Sequence, residues 1–216
     1  MKKTSLFFAL LLASLGALAQ SEFQLGLTAG PNISNLRWFN APNERTLQDS
    51  RWAAGWQIGL SADYRFSDWL GLSFQPVWVR KGAGYTTSSL GAPSSERLRL
   101  DYLDLPLLLR GRPWRGLFIE TGPVLGLRVG ISNTEPGAFT EVVKRIYRKT
   151  DLGLAAGAGW QASPRLSFGF RFVQGLIDVL DVNYTDQNGE ILPRSEQPRW
   201  LNQSIQFSVG YALLGG

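Results

Sequence analysis

Nine charged residues, Asp63, Arg65, Lys81, Arg99, Asp101, Glu120, Arg128, Asp151 and Arg171, interrupt runs otherwise built from small and apolar side chains. Carboxylates beside guanidinium or ammonium groups can pair with one another; two carboxylates sharing a site can also act as general acid and base. Most other chemistry is closed to this chain. It holds no His and no Cys, which removes Ser-His and Cys-His nucleophiles, imidazole proton shuttles, His or thiolate metal sites and disulfides. The chain is therefore read as non-enzymatic, with no catalytic residue, no metal and no cofactor.

Two further polar clusters have side chains suited to binding. The stretch "DVNYTDQNGE" offers Asp181, Asn183, Asp186, Asn188 and Glu190 as oxygen ligands for Ca²⁺, but it misses the register of a hand-type calcium loop. A solvated loop turning at Asn188-Gly189 is the better reading. The basic run "VVKRIYRK", residues 142 to 149, could touch lipopolysaccharide phosphates, although exposed charges of this kind are screened and are more often simply solvated.

The elements that must position the nine charges show a period of two. In "RWAAGWQIGLSADYRF", residues 51 to 66, every even position from Trp52 to Phe66 is apolar, while the odd ones hold Ala, Gly, Gln, Ser, Asp and Arg. Such alternation marks a β-strand with two unlike faces. It recurs in "FQLGLTAG", "LGLSFQPVWVRKG", "RLRLDYLDLPLLLR", "LFIETGPVLGLRVG", "DLGLAAGAGW", "LSFGFRF" and "LNQSIQFSVGYAL", which brings the expected strands to eight. Turns near 67 to 69, 111 to 116 and 162 to 165 are short. Segments near 36 to 50, 82 to 96, 131 to 149 and 177 to 198 are long and polar, so short and long connections fall at opposite ends. The expected fold is all-β: an eight-stranded antiparallel up-and-down transmembrane β-barrel. Two irregularities stand out. The apolar phase slips between Tyr102 and Leu103, where a bulge would restore one face, and Pro31, Pro76, Pro106 and Pro123 each remove a ladder donor.

Residues 1–19 read as a cleaved secretory signal peptide: two lysines, an apolar run too short to span a bilayer, then Ala17-Leu18-Ala19. Residues 20–216 then form a single barrel domain. Without Lys2 and Lys3 the formal net charge of +5 shrinks further, and no basic stripe with stacking aromatics is present, so nucleic acid is not an expected partner.

A soluble barrel would alternate too, with its apolar face inside. Here the polar face is rich in Gly, Ala and Ser, which suits a crowded lumen, whereas a watered strand face favours Thr, Lys, Glu and Gln. Bulky Trp, Leu and Phe then face outward into lipid. Trp52, Trp69, Trp78, Trp114, Trp160 and Trp200 fall toward strand ends or in turns, where membrane-interface aromatics gather.

The segments "GLTAGPNISNL", "PVWVRKGAGY", "LDYLDLPLLLR", "FIETGPVLGL", "DLGLAAGAGW" and "FGFRFVQGL", in this order, resemble the PorT-like outer-membrane β-barrel proteins of Gram-negative bacteria across nearly the whole chain after residue 19. The resemblance implies a bacterial outer-membrane barrel with no known catalytic residues, in a family whose namesake is linked to export of proteins to the cell surface. One departure is the ending, Tyr211-Ala-Leu-Leu-Gly-Gly, where such barrels often close on an aromatic.

Depth along the strands sorts the nine charges into two groups. Asp63, Glu120 and Arg171 fall toward the short-turn end with Arg65 just below; Lys81, Arg99, Asp101, Arg128 and Asp151 fall toward the outer end. All nine are expected to face inward as two stacked networks that plug the lumen. The function expected is structural, or linked to surface export and assembly through the outer loops; a small pore or transporter is the alternative. Expected partners are outer-membrane lipid and lipopolysaccharide, with any protein partner unidentified and the chain a monomer.

Overall fold

The computed structural model describes residues 23–39, 51–89, 92–133, 145–182, 184–185, 188–193 and 197–215; the expected signal peptide lies outside them. Each alternating run forms a strand, because side chains two residues apart share a face only on a pleated backbone. The strands are β1 (Phe23–Phe39), β2 (Arg51–Arg65), β3 (Leu70–Phe74), β4 (Val77–Ser89), β5 (Ala92–Trp114), β6 (Leu117–Asn133), β7 (Thr150–Gln161), β8 (Leu166–Gly175) and β9 (Arg199–Leu214). β3 and β4 are two halves of one stave, parted at Gln75-Pro76, and both lie between β2 and β5. The ring therefore has eight staves, all antiparallel, and it closes because β1 pairs with both β2 and β9.

Following paired residues around the ring from Thr150 of β7 through β6, β5, β4, β2, β1, β9 and β8 returns to β7 at Trp160, ten residues further on. A stagger of this kind tilts the strands of a closed sheet, typically by about 35–45°, and eight strands leave an interior that side chains fill.

The two faces differ as the alternation requires. Ile58 and Leu60 are 51% and 56% exposed on the outside, with Leu107, Leu109, Phe170, Phe207 and Val209 in the same apolar band. Trp69, Trp114 and Trp160 stand exposed at the short-turn end, where indole rings favour a membrane interface. An apolar exterior of this extent needs lipid.

Ladder bonds lost to prolines and irregularities are replaced from inside. Pairing of β1 with β9 lapses between Ala29 and Asn32, around Pro31, and Gln57 of β2 reaches across to donate to the Phe207 carbonyl at 3.1 Å. Pairing of β2 with β4 lapses between Trp52 and Gln57. There Asn32 donates to the Arg80 carbonyl at 2.8 Å, and Ser34 both accepts from the Gly82 N–H at 2.8 Å and donates to its carbonyl. Gly82 sits at φ +152° with the Leu98 carbonyl where a Cβ would go, so no larger residue fits without strain.

Two expectations are corrected. β5 contains no bulge that flips its face: even residues from Leu98 to Arg110 all point inward, and the irregularity lies opposite, in β6, where Asp101 pairs with Gly130 and Tyr102 with Arg128. Leu98, Leu100 and Tyr102 are thus lumen residues, buried with Leu36, Val79, Ala83 and Val179 in an apolar plug near the outer mouth. Burial against one another satisfies these side chains as well as lipid would. The segment 82 to 96 is also not a loop, since β4 and β5 continue pairing up to Ser89 and Ala92.

Replacing Ile58 or Leu60 by Arg is expected to cost about 2–4 kcal/mol, as for cations placed on the lipid face near mid-depth. Thr185→Arg, in an exposed outer connection, should cost far less. Urea unfolding of the protein in lipid vesicles measures both.

Candidate functional site

The inward side of β5 crosses the lumen layer by layer: Leu98, Leu100 and Tyr102 in the apolar plug, Asp104 below them, then Pro106 and Leu108, then Arg110 and finally Arg112 at the short-turn mouth. Asp104 and Arg110 each anchor an ionic layer, and Leu108 packs between them with Val124, Ala155 and Val173.

The lower layer joins five staves. Arg110 Nη1 lies 2.7 Å from Asp63 of β2 and its Nη2 lies 2.9 Å from Glu120 of β6. Arg171 of β8 grips the other Glu120 oxygen at 2.6 Å and donates to Gln75 Oε1 at 2.7 Å. Gln75 in turn donates to Ser73 at 2.8 Å. The Arg110 guanidinium rests on the face of Phe118, 4.4 Å from the ring centre, a cation–π contact. Asp63, Arg110, Glu120 and Arg171 are all buried. Two carboxylates meet two guanidinium groups, so the layer is neutral, and charge-assisted hydrogen bonds offset the removal of each ion from water.

The upper layer is built on Lys81 of β4. Its Nζ lies 2.8 Å from Asp104 and 3.7 Å from Asp151, and 4.8 Å from the centre of the Tyr102 ring. Asn202 of β9 donates to Asp151 at 2.7 Å. Lys81, Asp104, Asp151 and Asn202 are buried.

Of the nine charges singled out in the sequence, the structure brings Asp63, Glu120 and Arg171 together in the lower layer and Lys81 and Asp151 in the upper one. The other four lie elsewhere. Arg99 is exposed on the outer face and Asp101 faces outward too, held by Arg80 at 2.8 and 3.2 Å, because the even phase of β5 is the inner one. Arg128 is half-buried at the outer mouth, beside the irregularity, and donates to the Tyr147 carbonyl at 3.0 Å. Arg65 is exposed at the short-turn mouth, too far down its strand to reach the lower layer. Asp104, Arg110, Gln75 and Asn202 join the layers without being among those nine charges. The signal for two of them was present: with Leu103, Leu105, Leu107 and Leu109 outward, Asp104 and Arg110 must point in.

In the outer connections, Asp181 pairs with Arg148 at 3.1 Å, and Asn188-Gly189 is a turn with Gly189 at φ +86°. Asn183, Asp186 and residues 142–144 of the basic run lie outside the described residues. Among the described residues no group of three or more acidic side chains is placed to hold a metal ion.

Residues 18–181 match the family described as outer membrane protein beta-barrel domain, most of the chain. The chain belongs to this family. Like the rest of the barrel family, it resides in the bacterial outer membrane, and short turns of such barrels usually face the periplasm. No curated protein matches it in sequence. Among solved structures it is similar to Neisserial surface protein A, with 11% identity over 87% of this chain and 96% of that one and a TM-score of 0.48. OprG from Pseudomonas aeruginosa is similar at 11% identity over 90% and 97%, TM-score 0.49. Ail of Yersinia pestis, bound to the heparin analogue sucrose octasulfate, is similar at 10% identity over 89% and 99%, TM-score 0.46.

Arg110→Ala leaves Asp63 without its cation and Glu120 with one fewer, and is expected to cost about 3–5 kcal/mol, the usual penalty for removing one partner of a buried pair. Arg99→Ala should change stability by no more than about 0.5 kcal/mol. Unfolding in vesicles separates the two; equal losses would mean that the inner face of β5 is misassigned.

Proposed function

We propose that this is a closed, non-enzymatic barrel of the PorT-like branch, with a structural role or a part in surface export and assembly played by its outer segments. The observation that carries this reading is the bracing of the lumen by Arg110 and Arg171, whose guanidinium groups clamp Asp63, Glu120 and Gln75 across it. A second ionic layer and an apolar plug lie above. A lumen so filled has a scaffold's interior, and both carboxylates of the lower layer are committed to arginines. Support for the PorT-like branch comes from "LDYLDLPLLLR", whose Asp104 and Arg110 anchor the two layers.

The outer segments have the order a docking surface needs. Tyr147 pairs with Leu180, and Arg148 donates to the Leu180 carbonyl at 3.3 Å while bridging to Asp181, which ties the connection before β7 to the one after β8. Arg145 and Lys149 are exposed beside this tie and are the groups offered to lipopolysaccharide phosphates. The apolar belt takes the acyl chains. Because ring closure uses both sides of every stave, the barrel needs no second copy and acts as a monomer.

In planar bilayers the protein is expected to give no steady single-channel conductance, while Arg110→Ala combined with Arg171→Ala opens a measurable one. Steady conductance from the unaltered protein would establish the pore reading instead. Surface crosslinking of cells with and without substitutions at Arg145 and Lys149 tests the outer segments: identical adducts would exclude them as the contact.

A further inference from the structure

Below the lower ionic layer the lumen opens at the short-turn end as a cup of about 460 Å³, lined by Gln24, Arg65, Arg112, Phe118, Gln161 and Pro164. Arg65 and Arg112 follow Asp63 and Arg110 on the inner faces of β2 and β5. Phe118 forms the roof and carries Arg110 on its ring face, and the carboxylates above are already paired with Arg110 and Arg171. Among the described residues neither Arg65 nor Arg112 has an ion-pair partner, and Arg112 Nη1 is buried without a hydrogen bond. Asp68 at the rim is exposed and forms no ion pair with either arginine. The backbone gives Arg112 its place: its N–H donates to the Trp69 carbonyl at 2.7 Å, and Nη1 occupies space that a side chain at Gly71 would contest.

The rim is polar and held. Gln24 Nε2 donates to the Pro164 carbonyl at 2.9 Å and Gln161 Nε2 to the Ser163 carbonyl at 2.8 Å, which leaves both amide oxygens as acceptors. Two uncompensated guanidinium groups at one mouth repel each other, and an oxyanion between them relieves that repulsion while accepting paired N–H bonds. The cup's volume falls in the range of small-molecule sites and exceeds what one bare ion fills. We propose that this cup binds the free carboxylate end of a peptide presented from the periplasm, the carboxylate between Arg65 and Arg112 and the adjoining amide N–H on Gln24 or Gln161.

Calorimetric titration of the full chain in detergent tests this, with N-acetyl-D-alanyl-D-alanine, N-acetyl-L-alanyl-L-alanine and inorganic phosphate as probes. At least one peptide should bind more tightly than phosphate. Preference for the D form points to cell-wall peptides as the source, and preference for the L form to protein C-termini. Arg65→Gln and Arg112→Gln should each weaken peptide binding at least tenfold, Arg99→Gln should leave it unchanged, and heat-modifiable gel mobility reports folding. If Arg112→Gln does not fold, Arg65→Gln at its exposed position decides alone. No peptide binding by the unaltered protein, phosphate binding as tight as either peptide, or affinity that survives loss of Arg65 would overturn the proposal.

Discussion

Arg110 touches Asp63, Glu120 and Phe118 at once, and the barrel's interior is arranged around the need it expresses. Lipid surrounds the outer face, so the bulky apolar side chains gain nothing by leaving that face for a core. What draws the staves together is the backbone ladder plus whatever the lumen supplies. With water largely excluded from so narrow a space, a charge inside is tolerable only beside its counter-charge. Gly, Ala and Ser on the other inward positions leave the room those long side chains occupy.

The lumen solves its filling problem in two different ways. Toward the short-turn end it uses ions, paired two against two. Toward the outer mouth it uses hydrocarbon, with Leu36, Val79, Leu98, Leu100 and Val179 packed as in a soluble core. Asn32, Ser34 and Gln57 belong to a third category, since their side chains stand in for missing backbone partners where pairing lapses near Pro31 and between β2 and β4. At these two breaks a lumen-facing amide or hydroxyl reaches the backbone group left over.

Strand number, order and the lipid-facing side were legible in the sequence, because alternation reports directly on a sheet with unlike faces. Trp56, Ile58 and Leu60 left no ambiguity. Alternation failed on β5, where Leu98, Leu100 and Tyr102 look like lipid-facing residues but are buried: an apolar side chain satisfies either environment, so its type alone does not tell lumen from membrane. That single ambiguity moved Arg99 and Asp101 to the wrong side and hid Arg110. Arg65 and Arg128 failed for another reason. Their inward phase was read without their height, and a tilted strand carries its end residues past the layers that would receive them.

The ionic bonds of the lumen link residues far apart along the chain: Asp63 to Arg110, Glu120 to Arg171, Asp151 to Asn202. The last two each span one intervening stave and wait for β8 and β9, and the bond from Arg171 to Gln75 crosses the lumen and needs the sheet to curl round. Until then Glu120, Asp151 and their future partners remain hydrated, and the growing sheet has one wet face and one greasy one. Expelling that water belongs to ring closure itself, which makes the late, long-range contacts the slow ones. The same layers that hold the finished barrel shut keep the unfinished one compatible with water on its inner side.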